Sequence, residues 1–306
     1  MEEYRFIIDE SLQGERLDKC IPLLLDSVSR SYIQNLIKSG QVFLNNKPAK
    51  GSSKVSVDDE ISFSLPEAET PDIQAKDIPL DILYEDQDVI IINKPKGMVV
   101  HPAPGHYDDT MVNALMYHCK DGLSGINGVL RPGIVHRIDR DTTGSVIACK
   151  NDAAHNSIAE QLKVHSIHRL YRAIVIGVVK EDEGTINKPI GRHKEDRKKM
   201  AITPDGKTAI THYKVLERFK GYTYIECKLE TGRTHQIRVH MASIGHPLLG
   251  DSTYTKATWP FSLQGQCLHA YILGFVHPST EEYIETVAPL PEYFEKILKI
   301  LRDKNN

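Results

Sequence analysis

Apolar residues recur at helical spacing near the start of the chain and then give way to alternation. In residues 14–25 the apolar positions lie three and four apart, which predicts an amphipathic helix. Its buried face would consist of Leu17, Cys20, Ile21 and Leu24. A second helix is predicted between Ser29, which suits an N-cap, and Gly40, which suits the position after the last turn. Residues 41–46 and 54–65 alternate as short strands, so this part of the chain predicts a small α/β unit.

The rest of the chain mixes strands and helices in no regular order. Five segments rich in Val, Ile and Tyr predict strands: residues 89–94, 145–150, 170–179, 211–218 and 222–230. Helices are predicted after Asn151 or Asp152, after Thr234 as an N-cap, and at the end of the chain, with Pro291 in the first turn. Because strands do not alternate regularly with helices, we predict an α+β fold with a mixed, largely antiparallel sheet.

A segment rich in proline and acidic residues separates the two patterns. This composition is typical of an exposed linker. We therefore predict a small domain at residues 1–65, a linker at residues 66–80 and a larger domain at residues 81–306.

The composition excludes several classes of protein. Of the 306 residues, 40% are hydrophobic and 26% are charged, which is ordinary for a globular protein and excludes general disorder. The formal net charge of −3 argues against a protein coated with nucleic acid through bulk charge, although local basic surfaces still bind phosphate. No apolar run is long enough to span a membrane, and the acidic N-terminus lacks the apolar core of a signal peptide. We therefore expect a cytoplasmic protein.

Several common kinds of active site lack their sequence marks. The five cysteines are far apart and form no CxxC pair, which fits reduced thiols. The chain contains no GxSxG, GxGxxG or P-loop motif, so α/β-hydrolase, dinucleotide-dependent and nucleoside-triphosphatase chemistry are disfavoured. Its 14 histidines include no HExxH or HxH array, and we expect no metal site.

Charge is uneven in the predicted N-terminal domain. Residues 28–54 include five basic residues and no acidic one. On the second predicted helix, Arg30, Gln34 and Lys38 share the face opposite to the apolar one. A solvated helix face is the simpler interpretation of this charge. However, RLD followed by SRSYIQNLIKSGQVFLNNK resembles the small RNA-binding module first known from the small-subunit ribosomal protein S-four, over residues 15–63. That resemblance implies RNA binding.

Two segments of the larger domain concentrate charge beside predicted strands. In residues 84–102 a strand runs into Lys94-Pro95-Lys96-Gly97, which is either a simple turn or a turn that holds a lysine beside a polyanion. In residues 131–150 a polar cluster lies between two apolar strands; its members are His136, Arg137, Asp139, Arg140 and Asp141. A turn or a cap explains any single aspartate there, whereas the whole cluster is typical of the edge of a site.

Two further segments contribute a tyrosine and two arginines. Tyr171, in residues 165–177, lies at the start of an apolar strand, where a core ring with a solvated hydroxyl is the simpler interpretation. In residues 229–251 a Gly-Arg turn precedes a helix, and Arg233 and Arg238, five positions apart, point in different directions. One of them is suited to bind phosphate at the start of the helix and the other to reach inward.

Together and in this order, the four segments resemble the RluA/RluD family of pseudouridine synthases over residues 82–291. HRIDRDTTG corresponds to the family pattern HRLDxxTSG, with Ile138 and Thr143 as mild departures. GRTHQIRVHMASIGHPLLGD corresponds closely to the family's arginine-bearing motif, and PIGRHKEDRKKMAI and LHAYILGFVHP also resemble family segments. The resemblance is greatest to the D-type members, which act on large-subunit ribosomal RNA.

The resemblance implies that uridine in RNA is isomerised: the C1′–N1 bond breaks, uracil turns, and it rejoins the sugar through C5. Asp139 corresponds to the family's catalytic carboxylate, which either attacks C1′ or removes a proton from C2′. Arg238 corresponds to the arginine that pairs with it, and Tyr171 to the tyrosine that stacks on uracil and serves proton transfer at C5. Arg137 corresponds to the residue that fills the space left by the extruded base. Since the base is retained, one carboxylate suffices, Asp141 is interpreted as structural, and no cofactor is expected.

We expect basic residues of both domains to contact the RNA backbone. They are Arg30, Lys38, Lys47, Lys94, Arg137, Arg192, Arg197, Lys198, Lys199 and Arg233. A solvated loop is the alternative interpretation of residues 191–199. The expected partner is structured RNA, either large-subunit ribosomal RNA or a ribosomal precursor particle, with no membrane and with a monomeric enzyme.

Three alternatives stay open. The same chemistry on transfer RNA would need only a different substrate. A ribosome-assembly RNA chaperone would use binding first and catalysis second, although the presence of Asp139, Tyr171 and Arg238 together argues against it. A hydrolytic N-glycosidase would release free uracil, whereas an isomerase releases none.

Overall fold

The computed structural model describes residues 2–25, 30–65, 73–103, 105–120, 122–126, 132–196 and 198–304. The chain divides into two compact units, Met1–Thr70 and Pro71–Asn306. This division falls inside the segment predicted as a linker, and each unit has a sheet and a hydrophobic core of its own. Among the described residues, no helix is both long and apolar enough to cross a membrane.

In the described part of the first unit, two short helices pack with a four-stranded antiparallel sheet. The helices are α1 (Leu17–Leu24) and α2 (Arg30–Lys38). The strands are β1 (Glu2–Ile7), β2 (Val42–Leu44), β3 (Lys47–Pro48) and β4 (Glu60–Leu65), in the order β1-β4-β2-β3. Of the predicted face of α1, Leu17, Cys20 and Ile21 are buried and Leu24 is partly buried. The core of this unit also contains Ile33, Ile61 and Phe63. Ser29, the predicted N-cap of α2, lies outside the described residues.

Turns shorten two of the strands predicted in the first unit. The strand predicted over residues 54–65 begins only at Glu60, because Asp58 adopts a left-handed φ of 65° just before it. Asn45 and Asn46 have φ values of 51° and 62°, the sign that a type I′ hairpin turn requires at both central positions. They end β2 and fold β3 back against it.

In the described part of the second unit, nine strands form one sheet. They are β5 (Ile82–Glu85), β6 (Val89–Lys94), β7 (Thr143–Cys149), β8 (His168–Ile176), β9 (Glu183–Asn187), β12 (Ile210–Phe219), β13 (Tyr222–Leu229), β14 (Leu268–Val276) and β15 (Tyr283–Val287). A separate hairpin consists of β10 (Ile190–Arg192) and β11 (Met200–Ile202).

The order along the large sheet is β5-β6-β7-β14-β8-β13-β12-β9, with β15 paired to β14. The strand pairs are antiparallel except for β14 with β7, which run parallel. The prediction of an α+β fold with a mixed, largely antiparallel sheet is confirmed.

Helices pack against both faces of the large sheet. Ile90 and Ile92 of β6 join a core shared with α3 (Met111–Cys119) and α5 (Gln236–Ser243). Val89 and Ile91 point the other way and join a core shared with α4 (Asp152–Lys163), because side chains alternate along a strand. The C-terminal helix α6 (Glu292–Asp303) buries Phe294, Ile297, Leu298 and Leu301 against Ile174 of β8.

The parallel contact between β7 and β14 depends on Gly144. Its φ is 104°, and a Cβ at this position would overlap the backbone of Ala270 on β14. Only glycine combines this backbone conformation with so close an approach. The contact matters for the site because the loop that carries Asp139 leads directly into β7.

Helix α5 begins differently from the prediction. Thr234 is not its N-cap; that position is held by His235, which has a left-handed φ of 57° and forms no side-chain cap. The Gln236 side chain instead accepts hydrogen bonds from the Arg233 backbone N–H at 2.9 Å and the Thr231 hydroxyl at 2.8 Å. A side chain inside the helix therefore holds the preceding loop, in place of a cap before the helix.

Candidate active site

One cleft in the second unit brings together the charged segments of the sequence. Its volume is about 500 Å³, and it lies between the loop before β7, strand β8 and the start of α5. Five of the predicted site residues line it, namely Arg137, Asp139, Tyr171, Arg233 and Arg238. Residues distant in sequence meet here because β7, β14, β8 and β13 are successive neighbours in the sheet.

Asp139 lies in the loop that precedes β7 and faces the cleft. Its side chain keeps 18% of its surface exposed, and its Oδ2 accepts a hydrogen bond of 2.9 Å from Nη1 of Arg238. Its other carboxylate oxygen, Oδ1, lies 3.7 Å from Nε2 of His235. The carboxylate is thus held on one side by an ion pair and is open to the cleft on the other.

Arg238 is almost fully buried in α5, with 6% of its surface exposed. Besides Asp139, it donates to Asp251 through Nε at 2.7 Å and through Nη2 at 2.9 Å, and to the Thr253 hydroxyl at 3.0 Å. Burial opposes the charge of the guanidinium, but the hydrogen bonds to Asp251 and the charge of Asp139 outweigh it and raise the pKa of Arg238. Arg238 is therefore a permanent cation beside Asp139.

Tyr171 lies on β8 with only 8% of its surface exposed, and it forms part of the wall of the cleft. Burial raises the pKa of its phenol, the charge of Arg169 opposes this rise, and the charge of Asp139 adds to it. The hydroxyl therefore stays protonated at neutral pH, and its ring offers an apolar surface close to Asp139.

Arg169 is a site residue that the sequence pattern did not indicate. It is 7% exposed, lines the cleft, and donates from Nη2 to the carbonyl oxygen of Glu230 at 3.2 Å. Gly232 packs so closely that a Cβ there would lie 2.8 Å from Nη1 of Arg169. The glycine of the Gly-Arg turn thus makes room for a second buried guanidinium in the wall of the cleft.

His136 ties the loop of Asp139 to strand β7. Its Nε2 accepts a hydrogen bond of 3.0 Å from the backbone N–H of Ile147 on β7. Burial, with a smaller contribution from the positive charge of Arg169, lowers the pKa of His136 to about 3. The ring is therefore neutral and acts as a backbone acceptor, so this histidine of the motif has a structural function.

The position of Lys94 contradicts the prediction that this residue contacts RNA phosphate. The side chain is fully buried, and its Nζ donates to the carbonyl oxygens of Pro95, Met98 and Arg140, each at 2.9 Å. Burial lowers its pKa to about 7, against the charges of Asp141 and Asp139. All three of its hydrogen-bond donors point into the protein. Lys94 therefore ties the Lys-Pro-Lys-Gly turn to Arg140, the residue after Asp139. Its ammonium group cannot reach RNA.

Three of the other predicted RNA contacts lie around the cleft. Arg137 is exposed at its rim, whereas Arg233 is half-buried and donates from Nε to the carbonyl oxygen of Thr208 at 3.0 Å. A second cleft of about 450 Å³, next to the first, is lined by Arg192, Arg233 and Lys207. Basic side chains therefore continue from the rim of the first cleft into the second.

The remaining predicted RNA contacts are surface residues where they are described. Lys198 is exposed, and Lys199 lies 3.9 Å from the Asp196 carboxylate. In the first unit, Lys38 and Lys47 are exposed. Arg197 and the side chain of Arg30 lie outside what the structure describes.

A smaller cleft of about 300 Å³ lies on the other side of Asp139 and is lined by Arg140, Asp141 and Asp251. Asp141 does not line the larger cleft; it pairs with Arg140 at 3.3 Å and packs against Gly265. These contacts fit the structural interpretation of Asp141.

One group of metal-binding residue types occurs among the described residues, at Asp86, Asp88 and His277. Asp86 accepts hydrogen bonds from the Tyr84 hydroxyl at 2.6 Å and from His277 at 2.7 Å. Asp88 accepts from Asn151 at 2.7 Å and from Ser279. These hydrogen bonds account for the cluster, which joins the start of β6 to the loop before α4 and to the loop after β14.

Comparison with protein families assigns both units. Residues 88–243 match the family described as RNA pseudouridylate synthase, and residues 15–61 match the S4 domain. The matched segment includes the loop of Asp139, Tyr171 and Arg238. The chain belongs to the RNA pseudouridine synthases and is an RNA-modifying isomerase.

Relatives cover nearly its whole length. An uncharacterized RNA pseudouridine synthase of Bacillus subtilis, YlyB, is 51% identical over 303 residues, which are 99% of each chain. The ribosomal large subunit pseudouridine synthase D of Zymomonas mobilis is 44% identical over 312 residues, covering 97% of each chain. Among solved structures, human RNA pseudouridylate synthase domain containing 1 is 26% identical, with a TM-score of 0.57 over 73% of this chain and 95% of that one.

Proposed function

We propose that this protein converts uridine to pseudouridine in structured large-subunit ribosomal RNA, with Asp139 as the catalytic carboxylate. The observation that carries the site assignment is the buried ion pair of Asp139 with Arg238 at the wall of the 500 Å³ cleft. A cleft of this size is ample for one extruded uracil with its ribose.

Asp139 acts on the ribose of the target nucleotide. Either it attacks C1′, or it removes the proton from C2′; both routes use a lone pair of the ionised carboxylate while the C1′–N1 bond breaks. Arg238 orients that carboxylate and pairs with its negative charge, since its guanidinium donates a hydrogen bond of 2.9 Å to it. After uracil has turned, C5 bonds to C1′, C5 loses its proton, and N1 ends protonated.

Tyr171 and Arg137 handle the base in this scheme. The ring of Tyr171 stacks on uracil. Its hydroxyl relays the proton that C5 loses, taking up that proton as it passes its own toward N1. Arg137, exposed at the rim, occupies the place in the RNA stack that the extruded base leaves.

Basic side chains hold the RNA backbone without reading its bases. In the second unit we assign this role to Arg192, Lys198 and Arg233, with Lys199 and Arg197 as further contacts. In the first unit we assign it to Arg30, Lys38 and Lys47. We assign residues 1–65 to an RNA-binding domain and residues 81–306 to a catalytic domain. Of the segment 66–80, predicted as an exposed linker, the residues from Pro71 onward belong to the second unit, and Ile73 is buried in its core.

Two observations favour large-subunit ribosomal RNA over transfer RNA. Relatives from Zymomonas mobilis and Pseudomonas aeruginosa, 44% and 42% identical, are named large-subunit synthases and match at least 95% of this chain. The S4 domain match adds a second RNA-binding unit, which suits a large structured RNA. We infer a cytoplasmic, monomeric enzyme that acts on this RNA or on a ribosomal precursor particle.

The test compares purified enzyme on large-subunit ribosomal RNA, small-subunit ribosomal RNA and transfer RNA transcripts, with pseudouridine mapped by nucleotide. Modification of discrete positions in large-subunit RNA alone supports the proposal. Modification of transfer RNA alone overturns the substrate assignment and leaves the chemistry intact. Release of free uracil would identify a hydrolytic N-glycosidase instead. Should only precursor particles be modified, the particle is the substrate.

A further inference from the structure

Asp251 is a buried acidic residue to which the proposed mechanism gives no role. It lies in the loop after Leu248, a residue that forms a β-bridge with Val175 of β8, and it keeps only 1% of its surface exposed. Its backbone N–H donates to the carbonyl oxygen of Leu248 at 3.2 Å, and its Oδ1 accepts from the backbone N–H of Thr253 at 3.1 Å. Hydrogen bonds within its own loop therefore help to fix the position of the Asp251 carboxylate.

Asp251 takes two of the hydrogen-bond donors of Arg238. Nε donates to its Oδ2 at 2.7 Å, and Nη2 donates to its Oδ1 at 2.9 Å and also to the Thr253 hydroxyl at 3.0 Å. A fork of this kind fixes the plane of a guanidinium. The remaining nitrogen, Nη1, then points at Oδ2 of Asp139, 2.9 Å away.

The three side chains form a chain of alternating charge, Asp139, Arg238 and Asp251. One cation serves two carboxylates, one of them sealed from solvent and the other open to the cleft. A lone arginine beside Asp139 would favour the ionised form more strongly, and a carboxylate so stabilised is a weaker base and nucleophile. Sharing the cation with Asp251 divides its charge between two carboxylates and so limits this loss of reactivity in Asp139.

We propose that Asp251 is a positioning residue for the reaction: it fixes the orientation of Arg238 and shares its charge, so that Asp139 is both aligned and reactive. The inference rests on the catalytic role proposed for Asp139. It assigns to the last residue of GRTHQIRVHMASIGHPLLGD a function in the chemistry, not only in the fold.

Other charged and titratable groups also lie around Asp139. From α5 and its N-cap they are Arg238 and His235; from its own loop Arg137, Arg140 and Asp141; from β6 Lys94; from β8 Arg169 and Tyr171; and from the loop after α5 Asp251 and Tyr254. Substituting Asp251 changes one charge in this set and leaves the others in place.

The test measures single-turnover tritium release from C5-labelled uridine at saturating enzyme, from about pH 5 to about pH 9. In Asp251→Asn, Arg238 presents its whole charge to Asp139. We expect the rate constant at neutral pH to fall about tenfold and the acid limb of the profile to move down by about one pH unit. RNA affinity should not change. Asp251→Glu keeps the charge, and its acid limb should coincide with that of the wild type.

A purely structural role predicts a different result. It would lower the melting temperature and scale the whole profile down, with the acid limb in place, and that outcome overturns the inference. A wild-type rate in Asp251→Asn overturns it as well. If this variant does not fold, Thr253→Val removes one acceptor of Nη2 without changing charge. We then expect a severalfold lower rate constant at unchanged RNA affinity, and a wild-type rate overturns the inference.

A wrong assignment of Asp139 as the catalytic carboxylate would give a different result. If Asp139→Asn retains tritium release, the role of Asp139 is wrong. If Asp139→Asn is inactive while Asp251→Asn behaves as the wild type, only the role of Asp251 is wrong.

Discussion

Replacing Lys94 with methionine removes a buried ammonium group that holds the loop of Asp139. Nζ donates to the carbonyl oxygens of Pro95, Met98 and Arg140 at 2.9 Å each, and the side chain is fully buried. Methionine fills nearly the same space but donates no hydrogen bond. The carbonyl oxygens of Pro95 and Met98 therefore lose this partner in the variant. The carbonyl oxygen of Arg140, the residue after Asp139, keeps the backbone N–H of Gly97 at 3.0 Å.

The energetic cost follows from these contacts. A buried carbonyl left without a hydrogen bond costs about 1–3 kcal/mol, so two of them cost roughly 2–6 kcal/mol. The variant no longer buries a charge, and this offsets several kcal/mol. We expect a net destabilisation of about 1–3 kcal/mol, which lowers the melting temperature of a unit of this size by roughly 3–10 °C.

The assay combines thermal unfolding, followed by circular dichroism at about pH 6, with single-turnover tritium release. We expect both stability and rate to fall in Lys94→Met, because the turn after Asp139 loosens. Lys228→Met, in which an exposed lysine of the same sheet is changed, is the matched control and should leave both unchanged. A Lys94→Met variant with the stability and rate of the wild type would refute the assignment of Lys94 as an anchor.

Other changes test single features. Tyr171→Phe keeps the ring and removes the hydroxyl, so the rate constant should fall by roughly 10²–10⁴ with RNA affinity retained; an unchanged rate excludes the hydroxyl from proton transfer. Deleting residues 1–66 should weaken RNA binding and flatten its dependence on salt, and an unchanged salt slope contradicts an RNA-binding role for this domain. Burial lowers the pKa of His269 from 6.5 to about 4. The unfolded chain therefore binds a proton first as the pH falls, and stability should drop by about 3 kcal/mol between pH 6.5 and 4. Urea unfolding should show a smaller drop in His269→Gln, and an equal drop contradicts the shift.

Local pattern accounts for much of the fold. Strands β6 and β13 each begin with four β-branched or aromatic residues, and the face of α1 repeats at helical spacing, so neighbours in sequence carry the signal. Asn151 caps α4 as predicted, with its side chain accepting from the Ala154 N–H. The start of α5 could not be found this way. Its loop is held by Gln236, whose partners are revealed only by the folded chain.

The sequence motifs predicted the residues of the site, but they did not predict its electrostatics. Asp139, Tyr171 and Arg238 lie on separate elements, and only the neighbouring positions of β7, β14 and β8 bring them to one cleft. Lys94 stands at the end of a buried strand, but its burial depends on carbonyl oxygens of a loop 46 residues away in the chain. The charge partner of Arg238 at Asp251 also requires tertiary structure, since 13 residues separate the two.

The proposed isomerisation depends on the carboxylate of Asp139. The most direct measurement is tritium release from C5-labelled uridine in large-subunit ribosomal RNA, for the wild type and for Asp139→Asn. Arg238 keeps Asp251 and Thr253 as partners in the variant, so the fold should survive and a melting curve can verify it. We predict release by the wild type and none by the folded variant, with RNA binding retained in both. Release by Asp139→Asn at the rate of the wild type would show that Asp139 is not the catalytic carboxylate.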